Sequence, residues 1–294
     1  MTTRITEGMS SLGSLAGLQS SAARLAALQS QLSSGQKITK PSDNPAGTAS
    51  ALELRGQLKR AQQYTANAQD GQAWLSEVDS TLSSVMSAMQ SARSTTLQGL
   101  NTGTNDATAN AALAQQIDAL RQTVLSLANA NYQGRPIFGG TTTGTTAFDS
   151  TGAYVGDNGT VTRTVGDNTS IPVTSVGTSV FGANGSNVFD LLTTISSDLT
   201  SNPANLQTDL ASLDTAMKTI SSSQALSGAN YDRIQAVQTT TSATALQLTT
   251  QLSGLQDVDV ADMAIQISSA NVAYQAALQT TASIRQTSLL DFLK

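Results

Sequence analysis

The chain has 294 residues, of which 12% are charged and 4% aromatic, and a formal net charge of -5. Cysteine and histidine are both absent, which removes disulfides, thiol nucleophiles, Cys or His zinc sites and the commonest general base together. Lysines and arginines are scattered and form no basic stripe for nucleic acid, and no run approaches the ~18 apolar residues needed to span a bilayer.

The volume that aromatic and charged residues would normally fill is supplied by Ala, Ser, Thr, Gln and Gly, a composition that favours long helices packed closely over a thick core. The expectation is an elongated, mainly α molecule. The N-terminus lacks the basic patch and continuous apolar segment of a classical cleaved signal, which leaves either cytoplasmic residence or export by a machine that reads no such signal.

Helical periodicity begins near Arg4 and runs to Leu32 through Leu12, Leu15, Leu18, Ala22, Leu25 and Leu28. It breaks at Ser34-Gly35 and across Lys40 to Pro45, where Asn44 followed by Pro45 supplies an N-cap and a first helical residue. The second helix carries Leu52, Leu58, Tyr64, Trp74, Leu75, Val78, Leu82, Val85 and Met89 toward Leu100, and a turn over Asn101–Asn105 leads to a third that ends near Ala130. Trp74 and Tyr64 read as residues that fix helices within the bundle.

Between Gly139 and Gly185 the pattern changes to short β-forming runs with glycine punctuation. Tyr154-Val155 and Val161 flank Gly156-Asp157-Asn158-Gly159, which predicts a hairpin, and Gly166-Asp167-Asn168 predicts a turn between Arg163–Val165 and Ser170–Val176. Helical spacing returns at Phe189, resumes after Pro203 through Ile220, and starts again at about Ala229 toward Leu252. Asp257 and Asp259 are the predicted caps of the last helix.

Both end helices have lost their charge. Arg24 is the only acidic or basic residue from Gly8 to Gln36, and there is none from Met263 to Ile284. Faces of Ser, Thr, Gln, Asn and Ala suit contact with protein better than contact with water, and the similarity of the two ends invites them to pair. The candidate assembly residues are Leu18, Leu25, Leu28, Leu32, Ile267, Tyr274, Leu278 and Ile284. The predicted divisions are a terminal assembly helix over 1–43 pairing with 256–294, helical core halves over 44–138 and 187–255, and an outward-facing β-rich insert over 139–186.

Several segments carry a resemblance. Gln31-Leu-Ser-Ser-Gly-Gln-Lys-Ile-Thr-Lys-Pro-Ser-Asp-Asn-Pro-Ala-Gly47 resembles the N-terminal hallmark of the flagellin superfamily, in the Pro-Ser-Asp-Asn-Pro form of its hook-associated branch. Asn131-Tyr-Gln-Gly-Arg-Pro-Ile-Phe-Gly-Gly-Thr141 is similar to the entrance to that family's β domain. Tyr274-Gln-Ala-Ala-Leu278 and Ser288-Leu-Leu-Asp-Phe-Leu293 are similar to its C-terminus. The resemblance implies a flagellin-like helical bundle or coiled coil with a small inserted β domain, exported to the extracellular flagellum through the type III apparatus. It implies a structural junction subunit between hook and filament. Its partners would be hook-associated protein 1, flagellin, like subunits in a ring, and an export chaperone at the C-terminal region. A short flagellin filament subunit is the alternative. Neither nucleic acid, membrane nor cofactor is implied.

Ser34-Gly-Gln-Lys37 and Ser42-Asp-Asn44 match two motifs of penicillin-binding enzymes, which makes a secreted serine enzyme a further alternative. The third motif fails at Lys218-Thr-Ile, and both matches fall on one short linker. Asp149, Asp157, Asp167 and Asp190 could serve as glycosidase carboxylates or calcium ligands, but adjacent Gly and Asn explain three of them as turn residues. The expected catalytic, metal and cofactor sites are therefore none.

Overall fold

The computed structural model describes the backbone of residues 2–101 and 106–292, and side-chain surroundings at residue 9, over 12–101 and over 106–283. The predicted turn over Asn101–Asn105 lies almost wholly outside the described residues. The chain divides into a terminal unit, residues 1–59 with 245–294, and a central unit, residues 60–244.

The terminal unit holds α1 (Thr2–Ser34), the first turns of α2 (Pro45–Gly99), the last turns of α6 (Leu206–Gln256) and α7 (Val260–Phe292). Pro45 opens α2 as anticipated, and the Asn44 side chain accepts from the Gly47 amide at 2.9 Å. Asp259 caps α7 by accepting from the amides of Ala261 at 2.9 Å and Asp262 at 3.3 Å. Asp257 does not share that role. Its backbone pairs with Gln36 and its carboxylate takes the Ser253 hydroxyl, so it is spent before the helix begins.

In the central unit, α2 presents Leu75, Val78, Leu82, Val85 and Met89 at alternating gaps of three and four, and all are buried. From its first residue, α6 presents Leu206, Leu213 and Ile220 at heptad spacing, then Ile234, all with no exposed surface. No break occurs near Ala229. One glycine in a helix costs about 1 kcal/mol, and the burial of Ile220 and Ile234 on either side of Gly228 outweighs it. Two more helices, α3 (Ala107–Ala128) and α5 (Val188–Ser201), pack together, with the Ser196 hydroxyl donating to the Ala114 carbonyl at 3.3 Å.

Four short strands make two hairpins. The first, β1 (Asn131–Tyr132) with β2 (Arg135–Pro136), precedes the predicted insert, and its turn has positive φ at Gln133 (50°) and Gly134 (78°), the geometry of a type I′ turn. The second, β3 (Thr162–Gly166) with β4 (Thr169–Pro172), forms where Gly166-Asp167-Asn168 predicted it. The predicted hairpin across Gly156–Gly159 does not form. Tyr154 instead bridges back to Phe148, while Asp157 takes the amides of Thr141 at 2.6 Å and Gly159 at 2.9 Å and curls the loop upon itself. Val161 continues the second hairpin, accepting from the Val173 amide at 2.9 Å.

A short helix, α4 (Gly177–Phe181), completes an aromatic cluster of Phe138, Phe148, Phe181, Phe189 and Tyr154. Scarce aromatics are thus concentrated in one place, and the central unit has an ordinary apolar core. Trp74 is buried beneath Tyr132 and the Arg163 guanidinium, which is held by Asp70 at 2.6 Å. Tyr64 donates to Asp167 at 2.8 Å, tying α2 to the second hairpin's turn.

Asp198 on α5 and Asp209 on α6 are both buried, and Oδ2 of Asp209 has no hydrogen-bond partner. Burial, and secondly the neighbouring Asp198, push Asp209 above the ordinary carboxylate range. A carboxyl whose folded pKa is raised gives its full stabilisation below the unfolded pKa and loses it as pH rises through the folded one. Asp209→Asn should therefore raise the unfolding midpoint at neutral pH, with the gain vanishing near about pH 4, as thermal melts across that range would read.

Candidate assembly interface

In the terminal unit, α1 and α7 run antiparallel and form a seam. Leu28, Met263 and Ala270 are buried in it, and Leu25, Ile267 and Val258 close around them. A backbone clasp fixes the register: the Lys37 amide donates to the Gln256 carbonyl at 2.6 Å and the Val258 amide to the Gly35 carbonyl at 3.1 Å. Gly35 makes this clasp at a φ of 69°, a left-handed conformation that favours glycine. Gln31 and Arg55 add side-chain ties, donating to the Lys37 carbonyl at 2.9 Å and to the Gln256 side chain at 3.0 Å.

The eight candidate assembly residues therefore divide. Leu25, Leu28 and Ile267 meet within the chain. Leu18 and Tyr274 are half-buried, while Leu32 and Leu278 remain exposed. Ile284 lies outside the residues whose side chains are described. Beside them Leu12 and Leu15 of the first helix's stripe are exposed, and so are Ile265 and Val272, which the stripe of the last helix did not include, at 70% and 64%. For Ile265 and Val272 the signal was present, as large aliphatic residues standing off the main stripe of a helix that carries almost no charge. Isolated exposed aliphatics are ordinary, but several on one charge-poor helix pair make that surface a candidate for protein contact.

The residues of the enzyme-like motifs are engaged in local turns. Ser34 Oγ donates to the Gln31 carbonyl at 3.2 Å and accepts from the Gln36 amide at 3.3 Å. Asp43 accepts from the Thr39 amide, the Thr39 hydroxyl and the Lys40 amide at 2.9–3.2 Å, and the Lys40 amide leads in holding its pKa below the usual value. Lys218 lies in the central unit, on α6. Asp149 and Asp157 likewise gather turn amides and hydroxyls, which lower both pKa values. The leading contributor is the Thr151 side chain for Asp149 and the Thr141 amide for Asp157. Asp190 closes a capping box with Asn187, and Asp167 takes the Tyr64 hydroxyl. Among the described residues no helix is long and apolar enough to cross a membrane.

Fold and interface together define a helical structural protein whose two chain ends close into one unit. The chain belongs to the flagellin family: the bacterial flagellin N-terminal helical region matches residues 5–143 and the C-terminal helical region matches 210–293. It is similar to a flagellin of Bacillus subtilis, at 27% identity over 96% of each chain. It is also similar to the flagellar hook-associated protein 3 of Salmonella typhimurium, at 31% identity over 65% of this chain and 58% of that one. Its fold matches a solved structure described as a candidate flagellar hook-associated protein of Vibrio parahaemolyticus. There the TM-score is 0.67 at 21% identity, covering 73% of this chain and all of the other. The resemblance seen in the Pro41-Ser-Asp-Asn-Pro45 segment and in the tail is borne out, as is the mainly α fold with a small β region.

Proposed function

We propose that this chain is a structural subunit of the bacterial flagellum that joins hook to filament, the role of a flagellar hook-associated protein 3. The observation that carries the reading is the α1–α7 pair: charge-poor, closed among the described residues by Leu28, Met263 and Ala270, and still exposing Leu12, Leu15, Ile265 and Val272. So small a core leaves these helices dependent on neighbours for most of their stability. Packed side by side with like subunits they would bury the remaining apolar surface.

By this reading the chain leaves the cell by the flagellar export route, with a chaperone on its C-terminal region beforehand. It then sits between hook-associated protein 1 and flagellin in the extracellular flagellum. We assign it no catalytic role, since Ser34, Asp43 and Asn44 serve the α1–α2 turn. The Bacillus flagellin, matched over nearly its full length, favours one second reading, a short filament subunit. Immunogold labelling of intact flagella separates the two. Label confined to a band at the filament base is expected, and label along the filament would make the chain a flagellin.

A further inference from the structure

The corner between α5 and α6 holds two carboxylates that the assembly reading does not use. Asp198 lies in the last turn of α5 and Asp209 in the first turn of α6, and they are 8% and 7% exposed. Leu199 and Leu206 beside the corner both lie against Gly99 of α2, where a β-carbon would meet their side chains, so the corner is packed against the core. The Asp198 carboxyl stands within hydrogen-bonding reach of Asp209, whose Oδ2 has no hydrogen-bond partner.

Among the described residues no cation answers this pair. Arg93 of α2 is held by Asp214 at 2.6 Å, and Lys218 acts on that same aspartate. From α3, Arg121 donates to the carbonyls of Phe189 and Thr151, and Asp106 caps its own helix at 2.7 Å. Asp190 closes the capping box at the far end of α5. Two ionised carboxylates buried side by side repel each other and have lost their water. One proton between them cancels a charge and makes an O–H···O bond that engages both.

We propose that Asp198 and Asp209 share one proton in mild acid, and that its loss toward neutral pH loosens the α5–α6 corner. Burial first, and Asp198 second, lift Asp209, so the stabilisation is fully present below about pH 4 and is lost as pH rises through the folded pKa. The test is native-state amide exchange on the full chain between pH 5 and 8, corrected for the intrinsic pH dependence of exchange. The Asn202 amide donates to the Asp198 carbonyl at 3.0 Å and the Leu206 amide to the Pro203 carbonyl, so both report on the corner. Their protection should fall about tenfold across that range in wild type. It should stay level in Asp209→Asn and in Asp198→Asn, where a side-chain amide still donates but no longer titrates. Level protection in wild type, or the same fall in both variants, would overturn the shared proton. A wild-type profile that is level with pH but drops when calcium is chelated would assign the gap to a cation and overturn it as well.

Discussion

Met263→Asp is expected to abolish pairing of α1 with α7 and, with it, filament attachment. Met263 is 6% exposed in a seam whose other buried members, among the described residues, are Leu28 and Ala270. Losing the side chain costs about 2–5 kcal/mol, and a carboxylate in its place is buried without a cation and close to Asp259 and Asp262. Leu28 and Ala270 are then the buried residues left in that cluster among the described residues. The central core is built wholly from residues between Ala68 and Ile234, so its melting temperature should not move. Filament counts in a strain lacking this gene and complemented with the variant, with a thermal melt of the purified chain, read both halves. Normal attachment by Met263→Asp would show that the seam is dispensable.

Phe189→Ala should do the converse, weakening the central unit and leaving the seam intact. Phe189 has no exposed surface and lies 5.0 Å from the Phe148 ring and 5.8 Å from Phe181, with Gly152 close against its β-carbon and ring. Truncation of a fully buried phenylalanine costs about 3–5 kcal/mol, and in a domain of this size each kcal/mol lowers the midpoint by about 2–4 °C. A fall of roughly 6–20 °C is the expected calorimetric result. A fall of under about 2 °C would mean that the aromatic cluster is not the centre of this core.

Features set by neighbouring residues could be read from the chain: Asn44-Pro45 and Asp259 as caps, the turn at Gly166-Asp167-Asn168, and the apolar stripes of both ends. Features set by distant partners could not. Helical spacing lapses between Ile220 and Ala229, whereas the burial that carries α6 across Gly228 is tertiary. The aromatic cluster gathers positions from Phe138 to Phe189, and no spacing rule links them. The clasp between Gly35–Lys37 and Gln256–Val258 is made by backbone groups and has no side-chain signature. At the interface, periodicity revealed the stripe but not its division of labour. Leu25, Leu28 and Ile267 turn inward to the partner helix, and Ile265 and Val272, two and five residues along α7 from Ile267, face outward. A helical repeat identifies neighbouring faces without saying which is covered first.

The central claim is that this chain holds the filament to the hook. A clean deletion of its gene, with electron microscopy of the cells and an assay of flagellin in the medium, addresses that claim most directly. Intact hooks without filaments, and flagellin shed as monomer, are the predicted result. Normal flagella, or loss of flagellin itself from the medium, would contradict it.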